Sequence, residues 1–391
     1  MSDFDTKAPG VHLLEVPTAG PIAGAGTSTA ALIGTVAGAV ADQDLGKPEL
    51  VTNWTTYVKQ FGAFGEALSL PHAVRGFFEN GGTMAYVVPV ADMSGLDGAL
   101  EALTHTLDVS IVCLPGQTEF GNQQKVITHC EDMGDRFAVL DGARSTEKAS
   151  DTGPLLTQGG NLMTDRGFGA LYWPWISVNN PNPKPPPAEP PLSPPAEPKL
   201  LQVAPSGHIA GIMARSDNRR GVHKAPANEV VRGALDLEYH LNDAEQSVLN
   251  NANINALRTF PGGPPLVWGA RALARKTEWR YVNVRRLVAY ISDSLLQGLR
   301  WAVFEPNNTA LWKALERTVT EFLTRVWQAG ALFGRSAEEA FYVKIDEELN
   351  PAPVRELGQV FIEIGLAPTR PAEHVVIQLG LWSGGGRTGE A

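Results

Sequence analysis

Between residues 29 and 178 the chain alternates two hydrophobic patterns: short continuous apolar runs and stripes at helical spacing. Thr29 to Val36 is the first run, the pattern of a strand buried on both faces. Asn53 to Gln60 reads as a short helix ended by Gly62. Pro71 suits the first turn of a helix that reaches Asn80 and closes at Gly81-Gly82. Strands follow at Met84 to Val90, Val109 to Leu114 and Phe137 to Leu140, with a helix near Gln123 to Met133. This rhythm predicts an α/β domain.

The second half resumes after a proline-rich break. Ser206 can cap a helix through Arg215, and Asp243 can start another through Leu249. Ile254 to Phe260 and Leu266 to Leu273 flank Pro261-Gly262-Gly263-Pro264, a hairpin signal. Asn283 to Leu299 carries Leu287, Tyr290, Ile291, Leu295 and Leu299 at helical spacing. Asn308 can cap a helix from Thr309 to Ala329 whose apolar face is Leu311, Leu315, Val319, Phe322 and Val326. Ser336 and Glu339 have the spacing of a capping box.

The two ends read as strands. Val11 to Val16 is apolar on both faces and lies between Pro9-Gly10 and Pro17. In Val360 to Leu366 the even positions are apolar, and in His374 to Leu381 the odd ones are. Such alternation marks a strand with one packed and one solvated face. No internal repeat is visible.

Composition narrows the function classes. A length of 391 residues suggests two domains, or one with a large insertion. With 40 glycines and 29 prolines, many turns must separate short elements. A net charge of −10 argues against nucleic acid, whose phosphates need clustered positive charge. Cys113 and Cys130 form neither metal spacing nor a disulfide framework, which fits a reducing compartment. The acidic start lacks a secretory n-region, and Thr29 to Ala41 is too short to span a bilayer. Residues 179–205 favour polyproline II and read as a stiff surface loop, or as a docking motif for a proline-recognising module.

A search for chemistry finds none. The glycines of Gly24 to Thr29 precede a strand, whereas a dinucleotide fingerprint follows one. No phosphate loop, zinc-protease motif or nucleophile elbow occurs. Neighbours on a helix diverge, so His129-Cys130 reads as packing, not as a base and nucleophile. His223 and His240 read as ordinary loop or helix-end residues. No catalytic residue, metal ligand or cofactor is expected. One basic stretch stands out: Arg271, Arg275, Lys276, Arg280, Arg285 and Arg286, opposed within it only by Glu278. It is either a solvated, ion-paired face or a contact to an acidic partner.

Several long stretches resemble tail sheath proteins of contractile phage tails and phage-tail-like injection particles. They include Lys7-Ala8-Pro9-Gly10-Val11, Leu70-Pro71-His72-Ala73-Val74-Arg75-Gly76-Phe77-Phe78-Glu79-Asn80-Gly81-Gly82 and Tyr172-Trp173-Pro174-Trp175. The strongest runs from Pro205-Ser206-Gly207-His208-Ile209-Ala210-Gly211 to Gly221-Val222-His223-Lys224-Ala225-Pro226-Ala227-Asn228. Trp279 to Arg286 and Phe304-Glu305-Pro306-Asn307 follow in the expected order. The proline-rich stretch at 181–198 departs from the shorter loop expected, and large extra outer domains are lacking.

The resemblance implies an α/β (α+β overall), two-domain, non-catalytic subunit with extended arms at both ends. Residues 1–20 would be the N-terminal arm, 21–249 an outer α/β domain, 250–372 an inner lattice-forming domain and 373–391 the C-terminal arm. Copies would stack as six-fold rings around an inner tube, and shortening of the sheath would drive that tube through a target envelope without nucleotide hydrolysis. Partners would be further copies, the tube, a baseplate and a terminal cap, with no nucleic acid and no membrane insertion. Assembly in the bacterial cytoplasm, without a signal peptide, is implied.

An extended segment of about 15 residues reaches roughly 50 Å, enough to add a strand to a neighbour's sheet. Val11, Leu13, Leu14, Val16, Val375, Ile377 and Leu379 are the expected arm residues. Arg271, Arg275, Arg285 and Arg286, or the helix from Asn308 to Ala329, are the candidate tube contacts. The alternatives are an α/β enzyme of unknown activity or a proline-motif adaptor.

Overall fold

The computed structural model describes residues 21–65, 68–144, 153–181 and 199–374. The expected arm residues Val11, Leu13, Leu14, Val16, Val375, Ile377 and Leu379, and the proline-rich core at 182–198, lie outside these. The chain divides into two compact units. The smaller takes residues 21–27 and 287–368, and the larger takes 28–286 together with the segment from Thr369 onward. The sequence reading instead starts its second domain at 250 and assigns residues 21–27 to the outer domain.

The larger unit contains strands β1 (Ala30–Gly34), β2 (Glu49–Val51), β3 (Ala85–Pro89), β4 (Ile111–Cys113), β5 (Phe137–Asp141), β6 (Gly169–Trp173), β7 (Ile176–Asn179), β8 (Leu200–Val203), β9 (Glu229–Val230), β10 (Asp236–Leu237), β11 (Ile254–Arg258) and β12 (Leu266–Val267). Nine of them form one sheet in the order β2-β3-β1-β4-β5-β6-β11-β12-β9. The central run from β3 to β11 is parallel, and Leu32 of β1 faces Val87 and Cys113 across the ladder. Antiparallel strands close both edges. A separate antiparallel sheet has the order β10-β7-β8.

Helices α1 (Trp54–Phe61), α2 (Ser69–Glu79), α3 (Leu96–Thr104), α4 (Phe120–Met133), α5 (Pro154–Leu162), α6 (Ser206–Arg220) and α7 (Asp243–Asn251) belong to this unit. Strand β1 shows why they cover both faces. All five of its residues are buried, so a continuous apolar run needs cover on each side. Ala30 and Leu32 pack with Leu70, Phe77, Ile209 and Met213 of α2 and α6. Ala31 and Ile33 pack with Leu96, Leu103, Val126 and Ile127 of α3 and α4.

The strongest sequence motif lies in α6, whose residues Ser206 through Asp217 are all buried. A side chain at Gly207 would place its Cβ 2.4 Å from the Ala73 backbone, and one at Gly211 would come 2.3 Å from the Phe77 carbonyl. The two glycines, one turn apart, let α6 lie directly on α2.

Helix α8 (Val282–Gly298) straddles the division. The smaller unit continues with α9 (Thr309–Gln328), α10 (Ala337–Ala340), β13 (Phe341–Lys344), α11 (Ala352–Glu356) and β14 (Glu363–Leu366). Asn308 caps α9 as expected, its side chain accepting from the Ala310 and Leu311 amides at 3.0 Å. Leu311, Trp312 and Leu315 pack with Leu299, Trp301, Ile345, Val360 and Ile362. Of the even-numbered apolar positions in Val360 to Leu366, Val360 and Ile362 pack on this core, both ahead of β14. Residues 21–27 are tied to the same unit: Arg325 donates to the Ile22 carbonyl at 2.7 Å, and the Ala25 amide donates to Ser294 Oγ at 2.9 Å.

Candidate assembly surface

Strand order in the large sheet reverses at β1, between β3 and β4. In open α/β sheets ligands bind at such a switch, beyond the strands' carboxyl ends. The first turn of α2 fills that ground. Gly116, just past β4, has φ +76°, and a Cβ there would sit 2.2 Å from Ser69 Oγ.

The conspicuous acid nearby, Asp141 at the end of β5, is fully buried. Its carboxylate accepts from the Ser206 amide at 2.8 Å, the Ser206 hydroxyl at 2.7 Å and the Gly116 amide at 2.9 Å. Burial pushes its pKa up to about 6, against the lowering effect of those hydrogen bonds. Gln123 donates to the Asp141 carbonyl at 2.8 Å, and Gln158 donates to Gln123 at 2.7 Å. These groups are spent on joining β5 to α4, α5 and α6. Ser206 therefore does not cap its own helix, as the sequence suggests; it opens α6 by binding an acid from another strand.

The two cysteines lie in the apolar core of the larger unit. Cys113 and Cys130 are both fully buried, and burial pushes both thiols well above their ordinary range. His129 turns away to Arg136 at 3.3 Å. Among the described residues, no group of three or more His, Cys, Asp or Glu could hold a metal ion. None of their helices is long and apolar enough to cross a membrane.

The basic stretch does not form one face. Arg286 is 4% exposed and grips Asp217 at 3.1 and 2.7 Å. Arg285 is also buried, with its guanidinium 4.1 Å from the Phe168 ring centre and 4.2 Å from that of Trp279. Burial lowers its pKa to about 10, reinforced by Arg166. Arg271 pairs with Glu373 at 2.6 Å. Of the four candidates, only Arg275 keeps a largely exposed side chain, 4.0 Å from Asp165. A guanidinium committed to a buried carboxylate or ring stack cannot reach a partner without leaving an uncompensated group behind.

A further surface with edge strands is in the smaller unit. Strands β13 and β14 pair antiparallel from Phe341 opposite Leu366 to Lys344 opposite Glu363. They form a two-stranded sheet, and among the described residues neither has a second neighbour. Only Phe341 of the pair is buried. A two-stranded sheet is marginal in water by itself, and edge strands offer backbone groups for a further strand; just past β14 the Phe333 amide donates to the Ala367 carbonyl at 2.7 Å. The smaller unit exposes the apolar side chains of Val303, Phe304, Phe333, Tyr342, Leu357 and Phe361, as the larger one exposes those of Leu107 and Leu235. Phe304 is fully exposed and holds φ at +71°, a costly conformation for an aromatic residue. The sequence reading finds Val360 to Leu366 but misses β13, whose four residues are too short a signal.

Two family models match in succession: the phage tail sheath protein central domain over residues 90–273 and the phage tail sheath C-terminal domain over 275–380. The chain belongs to the phage tail sheath family. It is a structural subunit of a contractile tail sheath, as the sequence resemblance implies, with the expected mixed α/β fold. A relative described as a major tail sheath protein of a prophage, from Pseudomonas aeruginosa strain UCBPP-PA14, is 25% identical and covers 84% of each chain. The sheath of an extracellular contractile injection system, PVC, in its contracted state matches with TM-score 0.75 and 27% identity, covering 96% of this chain and 98% of that one. The contracted helical sheath of the anti-feeding prophage matches with TM-score 0.76 and 25% identity, covering 96% and 99%. A sheath tail protein from Desulfitobacterium hafniense shares the fold at TM-score 0.59 and 8% identity, covering 86% and 93%.

Proposed function

We propose that this subunit polymerises by donating its two ends as strands to the β13/β14 sheets of neighbouring copies. The supporting observation is that sheet: two strands with little cover, continued past β14 by the bridge from Leu332 to Pro368, in a chain whose own ends carry strand patterns. A donated strand supplies the missing backbone partners, while its alternating side chains set the register. The smaller unit is the lattice-forming, inner body and the larger unit the outer body. Copies stack as six-membered rings around an inner tube, bounded by a baseplate and a terminal cap, in a virion tail or tail-like particle assembled in the bacterial cytoplasm. Sheath shortening then drives the tube through an envelope. The contracted sheaths and baseplate assemblies among the structural matches favour this reading.

The work is mechanical: the extended lattice stores energy, and no catalytic group is required. With Arg285 and Arg286 buried, α9 takes over as the candidate tube contact, with Lys313, Glu316, Arg317 and Glu321 on its exposed side. Deletion of residues 1–17 tests the donated-strand reading. Folded subunits that no longer sediment as tubes are expected; normal contractile sheaths from the shortened chain would rule it out.

A further inference from the structure

Residues 369–373 return the chain to the larger unit and are held there. Asn283 Nδ2 donates to the Thr369 carbonyl at 3.1 Å. Arg271 then grips Glu373 with two prongs, Nε to Oε1 at 2.9 Å and Nη2 to Oε2 at 2.6 Å. The Tyr281 hydroxyl adds a bond to Oε2 at 3.3 Å. Behind the fork, Arg271 Nη1 donates to the Asn250 carbonyl at the end of α7, at 2.8 Å. The two side chains are only 12% and 17% exposed, so water competes weakly. Burial would raise the Glu373 pKa, but the hydrogen bonds and charge of Arg271 outweigh it and hold the carboxyl below its ordinary range. Glu373 and His374 then line a cavity of about 640 Å³ with Trp268 and Gln246, so the path is defined up to the last described residue. The other end of the chain is rooted on the smaller unit, through Ile22 and Arg325.

We propose that the Arg271–Glu373 pair anchors the donated C-terminal segment, fixing where it leaves the larger unit toward a second copy of this chain. The inference rests on the reading that residues from 375 onward are donated as a strand. Each unit then roots one donated end, so the two links into the lattice follow different bodies of the subunit. A tether's root sets its reach and the effective concentration of its tip. Releasing the fork would free the preceding residues as well, lengthening the flexible tether and diluting the strand it carries. A two-pronged guanidinium–carboxylate pair suits this role because it fixes direction as well as position.

Arg271→Glu, Glu373→Arg and the exchange carrying both test the anchor in the full chain. Glu373→Gln serves as a milder variant and a chain ending at His374 as the reference. The readouts are the thermal midpoint of the unassembled subunit and the fraction sedimenting as tubes, inspected by electron microscopy. Glu373→Gln should leave the midpoint within about 3 °C, because it only loosens a terminal segment and keeps the Arg271 bond to the Asn250 carbonyl, and the two reversals should lower it by more. The reversals should cut the tube fraction by about tenfold, and the exchange should restore most of it. Should the reversals fail to fold, Glu373→Gln carries the same expectation for the tube fraction.

Wild-type tube fractions in the reversals would overturn the anchor, as would a loss that tracks the midpoint and is not restored by the exchange. If the chain ending at His374 assembles normally, the donated-strand reading fails and the anchor with it. If that chain fails while the reversals assemble, the anchor alone is wrong.

Discussion

Asp141 illustrates how single residues hold this fold. Its carboxylate accepts from two amides and a hydroxyl, so Asp141→Asn would turn an amide group toward donors already in place. That variant should lose about 2–3 kcal/mol of unfolding free energy by urea titration at pH 7. The buried histidines set the response to acid. Burial lowers His208 from 6.5 to about 3, aided by His72; burial lowers His72 to about 4, aided by Arg75. Below pH 6.5 the unfolded chain binds protons that the native histidines refuse. Their stabilisation is therefore present above pH 6.5 and lost as pH falls toward 4. Asp141 runs the other way: between about 4 and 6 the native carboxyl holds a proton that the unfolded chain has released. Acidification from pH 7 to 4.5 should remove about 2–3 kcal/mol through His208, and His208→Gln should flatten that slope. None of these roles was legible locally. The partner of Ser206 comes from β5 and that of Arg286 from α6, and no sequence spacing announces such pairings.

Elements defined by their own pattern and caps were readable. Helix α9 is capped by Asn308 and α7 starts at Asp243 as expected, while the capping box of Asn242 and Glu245 that holds α7 was not read. Where the pattern admits rival partners, local reading failed: Glu339 reaches the Arg335 amide at 2.8 Å, and Ser336 makes no capping bond. The α2–α6 contact depends on glycine spacing, so Gly211→Val should destabilise the larger unit by about 3 kcal/mol, measured by urea unfolding. Strand β13 went unseen because four residues become a strand only when β14 lies beside them. Tyr342→Pro removes a ladder donor from that pair, because Tyr342 lies opposite Gly365 in the same hydrogen-bonding phase as Ala340 and Ala367. It should abolish tubes in sedimentation while leaving the larger unit's unfolding transition in place.

At the scale of the whole molecule, the two units carry separate apolar cores. Calorimetry of the unassembled subunit should resolve two transitions, and assembly should raise the smaller unit's midpoint more, because neighbours bind it when folded. The division falls between Arg286 and Leu287, beyond the boundary at 250 that the resemblance implies, because β11 inserts beside β6 as another parallel strand. By itself the sequence determined what is local: strand and helix periods, caps, turn glycines, the absence of a recognisable catalytic motif and the family's ordered motifs. Tertiary structure alone decided which arginines are buried, which acid opens α6, where the units divide and where a small sheet presents edge strands. Those outcomes depend on contacts between residues far apart in the chain, and such pairings leave no period or spacing to read.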